Sequence, residues 1–168
     1  MRRRTLLVLI SVLALVVVAP EVAAAKAGGT DRPWKGSLSG PVTIDTSTVP
    51  FQATSEGTGT VAHLGKVTYR VDFTITPEAD GTFTLAGTVE FVAANGDQVF
   101  TAFTGSAQPT GPVAGTTATT NATITGGTGR FEGASGSITS TVVTQITSGV
   151  DGTLFADQTL RQRGTISY

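Results

Sequence analysis

The chain has 168 residues, 11 basic and 12 acidic, with 21 glycines, a single histidine and no cysteine. A disulfide framework and a lipid-anchored cysteine are therefore excluded, and so is a histidine-rich metal site. Residues 1–27 hold four of the basic residues and one acidic residue, so the remaining 141 carry a net charge of about −4, which argues against nucleic acid or anionic lipid as a partner.

In chain order, Arg2, Arg3 and Arg4 precede an uncharged Leu/Val-rich run over residues 5–19. Pro20 ends that run, and small residues alternate through Ala23, Ala25 and Ala27. This is the layout of a secretory signal, predicted to be cleaved after Ala27, with Ala25 as the rival position. At about fifteen residues, the run falls short of the roughly twenty that a membrane-spanning helix needs. The expectation is an exported protein with one domain over residues 28–168 and no stable membrane span after cleavage.

Thr, Gly, Val and Ser dominate that domain, a composition that favours strands and turns over helices. Residues 28–33 read as a loose arm and 34–44 as a first strand, with Gly40-Pro41 suggesting an edge or a bulge. Glu56-Gly-Thr-Gly-Thr60 reads as a glycine corner. Val67, Tyr69, Val71, Phe73 and Ile75 alternate with Thr68, Arg70, Asp72, Thr74 and Thr76, the pattern of a half-buried strand. Phe83, Leu85, Gly87, Val89 and Phe91 repeat it. Asn95-Gly96 predicts a two-residue hairpin turn, which places Phe91 opposite Phe100 and Val89 opposite Ala102. Residues 105–115 read as a Pro/Gly loop, and 116–125 and 136–147 as strands. In the final run Leu154, Ala156, Leu160, Ile166 and Tyr168 share one face. About eight strands with short connections and no covering helix predict an all-β domain. A small closed antiparallel barrel accounts for them, because closure removes exposed edges; a two-sheet sandwich fits the pattern nearly as well.

Between the strands at 116–125 and 136–147 lies Gly126-Gly-Thr-Gly-Arg-Phe-Glu-Gly-Ala-Ser-Gly136. It fails as a nucleotide loop: a dinucleotide fingerprint from Gly127 needs glycine where Glu132 stands, and Gly129 is followed by Arg130-Phe131, not by Lys-Ser/Thr. It reads as a structural corner with Phe131 buried and Arg130 and Glu132 turned away. The segment resembles the Gly-Gly-Thr-Gly-x-Phe-x-x-Ala-x-Gly stretch of plant dirigent proteins and allene oxide cyclases. With Ala62-His-Leu-Gly-Lys66 and Ala93-Ala-Asn-Gly-Asp97 it is also similar to secreted bacterial members of that superfamily. The resemblance spans most of residues 55–147 and implies an eight-stranded antiparallel barrel with a central cavity, often in a homo-oligomer. It carries no activity across. No counterpart of the cyclase's acidic-and-asparagine cluster is found, and the dirigent pocket residues have no one-to-one match.

His63, extrapolated from the face of Val67 and Tyr69, is expected to point inward near a strand end, where structural hydrogen bonding is the commoner role for such a histidine. Tyr69 could offer a hydroxyl to a ligand or simply pack. The acidic residues are scattered, with no catalytic carboxylate pair and no calcium loop. No metal site and no cofactor is implied. Three readings remain. A barrel could hold a small apolar ligand against inward aromatics, with Phe73, Phe83, Phe91 and Phe100 as its wall and His63 and Tyr69 as polar contacts. A cofactor-free isomerase or cyclase could use His63 or Tyr69. A solid barrel could be a structural or interaction module. A reachable apolar cavity of roughly 300 Å³ or more would favour the first two.

Overall fold

Alternation of apolar and polar side chains over consecutive stretches asks for strands that bury one face, which a sheet rolled onto its own apolar face or two packed sheets can provide. The structure, a computed structural model, describes residues 29–110 and 115–168. Its strands are β1 (Asp31–Asp45), β2 (Phe51–Val61), β3 (Gly65–Pro77), β4 (Phe83–Ala93), β5 (Gln98–Pro109), β6 (Gly115–Gly127), β7 (Ser135–Val150) and β8 (Thr153–Ser167). Each pairs antiparallel with the next, and β1 pairs with β8 from Asp31↔Ser167 to Asp45↔Thr153. That unbroken last ladder decides between barrel and sandwich: the barrel is closed. The expected leader lies outside the described residues.

The two ends of the barrel differ. At one end the β2–β3, β4–β5 and β6–β7 connections meet the start of β1 and the end of β8. The β6–β7 connection contains a single 3-10 turn, Gly129–Phe131, which drops Phe131 into the barrel as a plug. Phe131 is wholly buried and meets Tyr168 edge-on, with ring centroids 4.8 Å apart. Trp34 and Phe91 form a second edge-on pair at 5.4 Å, and Leu64 and Ala134 close the remaining gaps. At the other end, Phe51, Ile75, Phe83 and Leu154 are only partly covered by the described residues. These are the closed and the open end.

Several local expectations change. Residues 31–33 are not an arm but the first pairs of the β1–β8 ladder. Gly57 and Gly59 lie within β2, not at a corner; a Cβ on Gly57 would sit 2.7 Å from the Tyr69 ring, so the missing side chain makes room for that tyrosine. At Gly40-Pro41 no edge exists in a closed barrel. The β1–β2 ladder skips from Ser39↔Thr58 to Val42↔Ser55 in the same register, and the Pro41 carbonyl accepts the Ser55 hydroxyl at 2.8 Å. Residues 105–109 continue β5, and Gly115 already belongs to β6.

The β4–β5 hairpin carries the largest consequence. Its loop has three residues, Ala94, Asn95 and Gly96, with Gly96 at φ 87° and Ala93 N–H donating to the Asp97 carbonyl. Phe91 therefore pairs with Val99, and Phe100 with Glu90. One residue of register reverses the faces of β5. Val99, Thr101, Phe103 and Ala107 point inward, and Phe100 points outward.

Candidate functional site

The interior of the barrel is not filled. Above the plug lies a cavity of about 160 Å³ that reaches the open end. Its size follows from which strands carry which side chains. On β3 and β4 the inward positions near the mouth are Phe73, Ile75, Phe83 and Leu85, whereas β5 to β7 face them with Ala107, Ala118, Ala122, Thr120 and Ser140. β5 and β7 also contribute Phe103, Ile138, Val142 and Ile146, and the small residues beside them leave a gap that the larger ones do not fill, because the backbone ladder holds the strands apart. Gly87 serves the β3–β4 side. A Cβ there would approach the Phe73 Cβ to 2.5 Å, so its absence lets the Phe73 ring lie against β4.

The wall is mostly apolar, with Thr116 and Thr144 paired near the mouth and a second polar row deeper in the barrel. Thr120 pairs across the sheet with Ser140, and Ser140 with Gln162, so one row of the barrel presents three polar side chains side by side. Gln162 donates to the Ser140 hydroxyl at 3.3 Å and accepts the Trp34 indole N–H at 3.0 Å. Gln158 reaches over Gly40 to donate to Ser55 at 2.7 Å and to the Tyr69 hydroxyl at 3.4 Å. Thr101, on β5, is 2% exposed and also lines the cavity. Its hydroxyl is the only fully buried side-chain polar atom among the described residues without a hydrogen-bond partner. None of the described residues lining the cavity is ionisable.

Charge gathers instead at the rim. Asp45, Glu78, Asp80 and Asp151 sit at or in the open-end turns, and the described residues of those turns include no Lys or Arg. Hydrogen bonds from the Ser47 side chain and backbone hold the Asp45 carboxyl below its usual range. The Thr82 hydroxyl and N–H do the same for Asp80. The mouth is therefore an apolar opening with a negative collar.

Of the residues singled out from sequence, Phe73 and Phe91 line the cavity, as does Phe83. Phe100 does not, for the register reason given above. Tyr69 points inward as expected and is 3% exposed, but it packs below the cavity over Gly57, with its hydroxyl already engaged by Gln158. His63 is the largest departure. It lies in the β2–β3 turn at the closed end, exposed, with φ 71°; the strand periodicity that placed it inside stops at Val61. Its carbonyl accepts the Arg130 guanidinium at 2.6 Å, and Arg130 also pairs with Asp97 at 3.4 Å and lies over the Phe131 ring. Arg130 thus folds back on Phe131 and ties three closed-end connections together, where sequence alternation would turn it away.

Sequence reasoning passed over the polar floor. Gln158 and Gln162 occupy even positions of β8, on the same face as Ala156, Leu160 and Ile166, and two amides on an apolar face signal a buried polar network. Thr101, Thr120 and Ser140 gave no comparable signal, since Thr and Ser populate both faces of these strands. No family model matches the chain, and no curated protein matches it either.

Proposed function

We propose that this protein is an exported barrel that takes up a small, mostly apolar molecule through its open end. The observation that carries the reading is the one-ended lumen, apolar on its walls and sealed below by Phe131, Phe91 and Trp34. At about 160 Å³ it is smaller than the roughly 300 Å³ at which drug-sized pockets begin. It matches the roughly 150 Å³ of a dry apolar cavity that holds benzene. The ligand is accordingly a single-ring body, or the end of a longer molecule whose remainder stays at the mouth. The barrel resemblance and the leader-like residues 1–27 support the same reading, since an apolar cup suits a carrier or scavenger outside the cell. An isomerase acting through His63 finds no support, because His63 stands at the opposite end from the opening.

Trp34 supplies the test. It is the chain's only tryptophan, and it touches two cavity residues, Phe91 and Gln162. Titration with methylcyclohexane should change its emission saturably. A strictly linear response would count against the lumen as a binding site.

A further inference from the structure

We infer that the ligand enters head first, with an uncharged, oxygen-bearing head group such as a ketone or alcohol at the polar floor and its apolar body towards the mouth. This rests on the lumen reading above and adds to it the chemistry of the recognised group. Two hydroxyls point to it. Thr101 is one of the residues lining the cavity, and its Oγ1 is buried without a partner. Ser140 Oγ accepts from Gln162 but has no protein acceptor for its own proton among the described residues. Buried polar groups are nearly always satisfied, and one left unpaired costs free energy. A ligand oxygen that reached the Thr101 hydroxyl would accept from it and remove that cost.

The same surroundings exclude a charged head. A buried carboxylate or ammonium needs an opposite charge, and none of the described lining residues can supply one. The collar of Asp45, Glu78, Asp80 and Asp151 further disfavours approach by anions. Gln162 cannot turn to serve instead as the primary reader, because Trp34 holds its carbonyl and Ser140 its amide. Thr101 therefore sets the preference, supported by Ser140.

Cyclohexanone, its isostere methylenecyclohexane and cyclohexanecarboxylate, titrated calorimetrically into the parent and Thr101→Val proteins, test the inference. Valine keeps the shape and removes the unpaired hydroxyl, so the free variant should unfold at the same denaturant concentration as the parent or a higher one. Ketone affinity should fall about three- to tenfold, the scale of one hydrogen bond, while methylenecyclohexane binds as before or more tightly. The carboxylate should not bind. If the ketone is unaffected by the substitution, or both neutral probes weaken alike, head-first recognition is wrong although the lumen still binds. Carboxylate binding comparable to the ketone's would overturn the uncharged head. If neither neutral probe binds the parent, the lumen reading fails and this inference fails with it.

Discussion

Truncating Phe131 to alanine tests how the closed end is held. Phe131 is wholly buried, meets Tyr168 edge-on at 4.8 Å and sits beneath the Arg130 guanidinium. Replacing a buried phenylalanine by alanine costs about 3–5 kcal/mol. The upper part of that range applies here, since eight hydrogen-bonded strands cannot collapse into the space the ring vacates. Arg130→Ala provides the contrast. It removes an exposed-side ion pair to Asp97, a hydrogen bond to the His63 carbonyl and a stacked cation, together worth about 1–2 kcal/mol. Denaturant unfolding of both variants decides the matter: Phe131→Ala should lose at least about twice as much as Arg130→Ala. If Arg130→Ala is the more damaging, the charged clasp closes the barrel and the aromatic plug only fills space.

Gly96→Val should destabilise by about 1 kcal/mol or more, because a β-branched residue resists positive φ; Gly96 has φ 87° and open space around it, so chemical denaturation reads the backbone cost alone. Acid should loosen the open end. The folded-state carboxyls of Asp45 and Asp80 are lowered, so the stability they contribute is present above the unfolded carboxylate value of about 4 and is lost as pH falls through the folded value. Asp80→Asn should reduce the acid-side loss in a series of melts, and an unchanged pH profile would show that the Thr82 contacts contribute nothing. N-terminal sequencing of protein recovered outside cells should begin at Gly28 or Lys26, whereas recovery of Met1 would refute the leader.

How far the sequence discloses this molecule depends on the strand. On β3 every second residue from Val67 to Ile75 is apolar and its neighbours are Thr, Arg or Asp, so the face follows from alternation alone. On β5 the face depends on whether the preceding loop holds two residues or three, and Asn95-Gly96 is compatible with both. Phe100 and Phe103 are equally hydrophobic and lie on opposite faces, so a single added loop residue exchanges them. His63 marks another limit, since periodicity cannot announce the residue at which a strand ends. Glycines are ambiguous for a related reason: Gly96 and Gly129 serve positive φ, whereas Gly57 and Gly87 clear space for Tyr69 and Phe73. The eight strands, the buried Phe131 and the inward Tyr69 were accessible from pattern, whereas the choice of a closed barrel over a sandwich needed the β1–β8 ladder. The unfilled lumen was not accessible, because it depends on small residues of β6 facing aromatics that lie far away in sequence.

A stretch of wall offers the sharpest handle on that lumen. Ala118 faces the cavity from β6 and packs beside Leu85, Ala107 and Val142. Ala118→Phe should occupy the space while leaving the outer surface and the closed-end plug untouched. Protein purified from culture medium and examined by native mass spectrometry gives the most direct test. The parent should carry a small neutral adduct, or acquire one from cyclohexanone, and folded Ala118→Phe should carry and acquire none. Equal adduct occupancy in parent and variant would place binding elsewhere and contradict the account.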